Sequence, residues 1–396
     1  MSEDISIRKP TGSPIGLVIM LAIGFAFYFV FSRIGGALGG MMTYDGVITG
    51  ITASFPQQVQ WLLMNFTEPQ FYAGMLAGLG VMAGGFIAWR LAVAKSKYAG
   101  FDVCYGQSNL WPWVFASQVI SAGLAIFVFR YINLFDTMDV AWVPTFVSIV
   151  GAPPSVVLLY GKSVPALITG SILGGLLSAP VATWLSTYVT ATWNAPGVVP
   201  NVLAMAITGV LICSICRVLP WVKKVEYKSH RDTPKPAENV YTPFWFMRRV
   251  TADFSEAQFY GNEIASLVLL SAVTIEWVLS PGLVSGGSGM LPAIILSQFV
   301  ASSVGVFLYA NKFENNGWYG TYVPVVSVGP ACVLFFGGGI HIALVAGVLG
   351  GIIGAPFAEF LQRHWPEGIH PTSANVTAMA ISTIIVAFVI RFIGLA

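Results

Sequence analysis

Residues 66–74 read FTEPQFYAG, and residues 254–262 read FSEAQFYGN. Five of the nine positions are identical, a sixth is a Thr/Ser exchange, and 188 residues separate the two copies. A phrase that recurs at such a distance matters only if its surroundings recur with it, and here they do. GQSNLWPWVFASQ (106–118) pairs with GGSGMLPAIILSQ (286–298), Pro144 in WVPTF with Pro324 in YVPVV, and PSVVLLYG (154–161) with PACVLFFG (330–337). Further on, ALITGSILGGLLSAPVATWL (166–185) pairs with ALVAGVLGGIIGAPFAEFL (343–361), and NVLAMAIT (201–208) with NVTAMAIS (375–382). The order is kept while the offset drifts only from 188 to 174, so two homologous halves are expected.

Composition says where those halves reside. Of 396 residues, 56% are hydrophobic and 9% charged, with a mean hydropathy of +0.76. A soluble domain carries about 25% charged residues, so this chain lacks the groups to cover a surface facing water. An all-α polytopic membrane protein is expected. The 42 glycines suit helices that approach closely inside a bilayer. A net charge of +2 gives no ground for a nucleic-acid partner. Four cysteines make no disulfide framework, and Cys213–Cys216 on one helix face reads as packing. No phosphate-binding loop, zinc spacing or haem-attachment signature appears, so neither a metal nor a resident cofactor is expected. The polar start MSEDISIRKPTGSP is followed by an apolar run with no small-residue cleavage site, which predicts a retained first helix.

A membrane-spanning helix needs about 20 mostly apolar residues. Eleven stretches qualify, at 15–34, 70–94, 110–130, 141–160, 164–187, 198–220, 257–280, 290–310, 321–337, 340–361 and 373–394. The fourth and ninth are short and broken by proline and glycine, which predicts interrupted or re-entrant segments. The expected layout is an N-terminal helix and outer loop (1–60), a first five-helix repeat (61–220), a basic cytoplasmic linker (221–250) and a second five-helix repeat (251–396). Five is odd, so the second copy must enter the bilayer upside down. Lys and Arg collect on the cytoplasmic side. With the N-terminus inside, Arg90, Lys95, Lys97, Lys162, Lys312, Arg363 and the linker are cytoplasmic, leaving Arg33, Arg130 and Arg391 outside, three of nineteen. The expected home is a bacterial-type cytoplasmic (inner) membrane, with the C-terminus outside. This one-plus-five-plus-five layout is similar to that of bacterial citrate/sodium-type symporters, a likeness of topology that carries no residues over.

Residues able to do chemistry fall at matched positions. Ser108, Asn109 and Gln118 in the first copy, and Ser288 and Gln298 in the second, stand where a Gly-Ser turn offers free N–H groups to an anionic solute. Helix capping by the serines and helix–helix bonding by the glutamines are the competing readings. Asn201 and Asn375 are twins that could cap a helix, hold a solute or bind a cation. Thr372 and Ser373 add oxygens beside Asn375 only, which points to 372–377 for a coupling ion. Glu263, whose counterpart is Met75, is an ionisable group near membrane depth and thus a coupling residue or an interfacial one. Glu276 reads as a solvated interfacial carboxylate. Glu68 and Glu256 open their helices as matched pairs, which suits either the helix dipole or gates on opposite faces. His341 could titrate near neutrality or simply be hydrogen-bonded.

Inverted repeats that surround a central site point to a secondary active transporter working by alternating access. The solute would be small and organic, with an anion held by helix ends, and a sodium ion or proton as coupling ion. A passive channel for a small solute and a membrane subunit docking through residues 221–249 are the alternatives. No nucleophile–base pair supports an enzyme. The expected partners are the solute and the lipid bilayer, with a homodimer as the one protein partnership considered.

Overall fold

The computed structural model describes residues 11–35, 40–225 and 237–395. The polar start up to residue 10 and positions 226–236 of the linker lie outside the described residues. Among those described, 72% are helical and none is in a strand. The chain first forms α1 (Pro14–Ile34), α2 (Tyr44–Ile48), α3 (Phe55–Asn65), α4 (Met75–Val93) and α5 (Trp111–Gly123). Next come α6 (Leu134–Thr137), α7 (Val147–Val150), α8 (Ala152–Tyr160), α9 (Val164–Trp184) and α10 (Val198–Val218). After the linker stand α11 (Pro243–Ala252), α12 (Glu263–Leu279), α13 (Leu291–Leu308) and α14 (Ala310–Asn316). The chain closes with α15 (Val328–Phe336), α16 (Ile340–Arg363) and α17 (Thr372–Phe392).

Nine stretches among the described residues are long and apolar enough to cross a membrane: α1, α4, α5 with its flanking turns, α9, α10, α12, α13, α16 and α17. Their outward side chains agree, since Ile15, Phe29, Phe86, Phe388 and Phe392 are all exposed. Such an apolar surface suits lipid and not water. This is the make-up of a multi-pass helical membrane protein.

The two remaining apolar stretches form no long helix. α7 and α8 are parted at Gly151 (φ −102°, ψ −118°), and prolines open the first turn of α8. α15 has nine residues and follows irregular turns through 319–327. At 1.5 Å per residue each short helix reaches about 14 Å, half of a hydrocarbon core roughly 30 Å thick.

Residues 41–65, expected as loop, instead hold α2 and α3. α3 buries Trp61, Met64 and Asn65, and packs beside α4. α11 occupies the same place ahead of the second copy of the doubled phrase, starting 188 residues after α3. Both are amphipathic and too short to register as spans, which is why hydropathy alone passes over them.

Helices α4 and α12 run antiparallel in close contact. Glu276 at the end of α12 receives the first N–H groups of α4, while Glu263 at the start of α12 receives the N–H of Phe101 beyond α4. Glycine permits the approach: a Cβ on Gly84 would lie 2.8 Å from Ala265 Cα. The paired GG motifs do the same in α9 and α16, where a Cβ on Gly175 would meet Ser121 O at 2.8 Å and one on Gly351 would meet Ala301 O at 2.6 Å. α10 and α17 are also antiparallel, tied by Arg391 Nη2 to Asn194 O (2.6 Å) at one end and Arg217 Nη1 to Glu367 O (3.5 Å) at the other. These ties sort the chain ends into two faces. One gathers residues near 12, 101, 225, 248, 312 and 363; the other gathers Thr52, Arg130, Asn194, Gly282 and Arg391.

Candidate functional site

The doubled phrase sits at the centre, and its two copies clasp each other. Gln70 Nε2 donates to Phe254 O (3.0 Å) and Gln258 Nε2 donates to Phe66 O (2.8 Å), while the two amides also bond directly to one another. Each copy closes with a phenylalanine in the left-handed region, Phe71 (φ 67°) and Phe259 (φ 66°). The next residue reaches across in both cases: Tyr72 OH donates to Gln298 (2.7 Å), and Tyr260 OH to Gln118 (3.2 Å). Gln118 and Gln298 return bonds to the backbone of Gln258 and Gln70. All four glutamines are fully buried. A buried amide must be paired, and here each supplies the other's partner.

Next to this shared clasp, the two copies differ in charge. In the second, Arg249 on α11 bridges Asp253 and Glu256, and Trp318 Nε1 also donates to Glu256. Ser302 Oγ (2.6 Å) and Thr321 Oγ1 (3.2 Å) complete the shell around Asp253. The positions 188 residues earlier are Trp61, Asn65 and Glu68. There the network is neutral: Trp61 Nε1 donates to Thr145 Oγ1 (2.8 Å), which donates to Asn65 Oδ1 (2.8 Å). Glu68 is left with a hydrogen bond from the Trp142 side chain and, among the described residues, no ion pair.

Two cavities flank the clasp. The first, about 460 Å³, reaches from Tyr44, Ala141, Ser285 and Gly286 inward between α10 and α17. The second, about 560 Å³, is walled by Asp102, Gly106, Asn316–Gly320, Glu359, Gln362 and His370, on the opposite face. Tyr105, Glu256 and Thr372 line both. They belong to an aromatic septum in which Tyr105 stacks edge-on against Phe259 (6.1 Å between ring centres) and Trp318 (5.5 Å). Tyr322 hydrogen-bonds Tyr105 and accepts from Asn375 Nδ2 (3.0 Å).

The sequence-derived residues distribute unevenly over this frame. Asn201 and Glu68 line the first cavity, Asn375 the second, and Glu256 and Thr372 both. Gln118 and Gln298 are clasp members and line neither. Ser108 is buried at the head of α5 with its hydroxyl unpartnered, whereas Ser288 is exposed and accepts the Met290 N–H at 3.3 Å. Neither serine lines a cavity, nor does half-buried Asn109; the adjoining Gly106–Gln107 and Ser285–Gly286 do. Ser373 is buried against Gly209 of α10. Glu263 lies outside both cavities, held by Arg248 Nε (2.6 Å) and the Phe101 N–H (2.8 Å). The solvated role expected for Glu276 is overturned. It is 2% exposed and accepts the N–H groups of Met75, Leu76 and Ala77 at 2.6–3.0 Å, because the helix start of α4 otherwise lacks acceptors.

Arg249, Asp253, Tyr105 and Tyr322 escaped the sequence reading. A signal was available in RRVTAD (248–253), where three charges precede the phrase and the matching QWLLMN (60–65) has none. Compared with known proteins, the chain matches no family model and no curated protein.

Proposed function

We propose that the protein is a secondary active transporter that carries a small organic solute across a bacterial-type cytoplasmic membrane by alternating access, coupled to sodium ions or protons. The observation that carries this reading is the pair of cavities on opposite sides of one thin aromatic septum, the first lined by both paired glutamates and the second by Glu256. Residues 61–220 and 251–396 are then inverted copies, and the reciprocal bonds of Gln70 and Gln258 are what a twofold axis in the membrane plane would produce. α3 and α11 extend that correspondence upstream of the doubled phrase. The face that gathers Lys312, Arg248 and Arg363 is cytoplasmic in this reading, as positive charge favours, and residues 221–250 link the copies on that side.

A closed septum between two vestibules suits a carrier better than an open pore, and inverted repeats supply two near-equivalent arrangements of the same parts. Purified protein in liposomes, given an inward sodium or proton gradient, should accumulate its solute above the outside concentration. Equilibration without accumulation would replace the carrier by a channel.

A further inference from the structure

We propose that the first cavity binds a lipophilic organic cation, with the Glu68 carboxylate as its counter-charge. The proposal names the solute class for the transporter reading; binding itself does not depend on that reading.

A volume of about 460 Å³ is that of a small-molecule site. Among the described residues its charged lining groups are Glu68 and Glu256, and no Lys, Arg or His lines it. Glu256 is already matched by Arg249, whereas Glu68 faces the cavity with a single neutral donor, Trp142. A carboxylate against an apolar wall is costly unless a positive charge or a proton reaches it. Burial pushes the Glu68 carboxyl up to about 7, so a bound cation would also favour its ionised form. Two further groups on the wall lack partners among the described residues. Asn201 Nδ2 donates to Gly197 O at 2.8 Å, which fixes the amide, since only its nitrogen can donate; Oδ1 is then an unpaired acceptor on a residue 4% exposed. The Ser285 hydroxyl, 7% exposed, is likewise unpaired.

The rest of the wall includes the rings of Phe71, Trp142, Phe146, Phe259 and Tyr322. Aromatic faces attract cations, most strongly where water is excluded. Arg249 behind Glu256 and Arg391, 4.9 Å from the ring of Phe335, both adjoin this wall without lining the cavity. An anion would meet a carboxylate and the unpaired Asn201 acceptor, and a neutral solute would leave Glu68 to be neutralised by a proton alone. The anionic solute considered from sequence therefore loses its support here.

Tetraphenylphosphonium and tetraphenylborate share a shape and differ in the sign of charge. Equilibrium binding of each to the full chain in detergent should show saturable binding of the phosphonium and at least tenfold weaker binding of the borate. Glu68→Gln should weaken the phosphonium at least tenfold while leaving the melting temperature near wild type, and Asn201→Leu should weaken it less. Equal or tighter binding of the borate, no saturable binding of either ion, or an unchanged Glu68→Gln would overturn the proposal. Liposome uptake separates the two claims. A quaternary ammonium that does not cross protein-free liposomes serves as the solute. If it displaces the phosphonium in a Glu68-dependent way but never enters, the site stands and the carrier ends; accumulation of an anionic solute, with no phosphonium binding, would do the reverse.

Discussion

Glu68 and Glu256 hold the same place in two copies of one phrase, yet their surroundings have diverged. Glu256 is locked by Arg249 and Trp318 into a buried network that also holds Asp253, Ser302 and Thr321. Glu68 stands beside a neutral Trp61–Thr145–Asn65 chain and faces an apolar cavity. The backbone frame is common to both, down to the left-handed phenylalanine that follows each. What the copies share is thus the clasp, and what they do not share is charge. Two copies of one phrase keep the same clasp contacts while one is held in a sealed ionic joint and the other faces a cavity.

The largest effect should come from Arg249→Met. It leaves two buried carboxylates without their cation and should cost about 3–5 kcal/mol, read from unfolding in detergent. Its counterpart Trp61→Phe removes one neutral hydrogen bond and should cost about 1 kcal/mol. Equal losses would dissolve the contrast between the copies. Next, Gln70→Ala and Gln258→Ala should each cost about 1–3 kcal/mol by orphaning the partner amide, and by similar amounts. The double variant should fall short of their sum, as coupled neighbours do; additivity would mean that the clasp does not act as one unit. Glu68→Gln should change stability by less than about 1 kcal/mol, because no counter-charge is lost. A large loss there would reveal a cationic partner in the folded protein.

A further effect concerns pH. His370, in the loop before α17 at the edge of the second cavity, contacts Thr372 Oγ1 at 2.8 Å, and removal from water pushes its pKa down to about 4. The unfolded chain then binds the proton more readily between about 6.5 and 4. Its contribution to stability is complete above that window and is lost as the pH falls through it. His370→Gln should flatten this part of the profile, seen by comparing unfolding at pH 7 and pH 5; an unchanged slope would assign it to other groups.

Much of the fold was legible because long apolar runs announce themselves whatever they pack against. α3 and α11 were not, since a helix of about three turns with one apolar face looks like loop to a span count. Pairing of the glutamines was legible as repetition but not as contact: nothing local says that Gln70 meets Gln258. The lone carboxylates were ambiguous for a related reason. Glu263 and Glu276 look alike in an apolar helix; Arg248 on α11 makes the first an ion-pair partner, while the antiparallel docking of α4 on α12 makes the second a cap on the facing helix. Asn201 and Asn375 reached cavity walls because their twin positions begin the two helices that frame the centre.

The central claim is that the two cavities open to opposite sides of the membrane, one at a time. With Cys104, Cys213, Cys216 and Cys332 replaced, single cysteines at Ala331 in the first cavity and Gln362 in the second can be labelled by a membrane-impermeant thiol reagent. Right-side-out and inside-out vesicles supply the two directions. The account predicts that Gln362→Cys labels from the cytoplasmic side only and Ala331→Cys from the outer side only, with added solute shifting both rates. Labelling of both positions from one side, or of either from both sides at once, would contradict it.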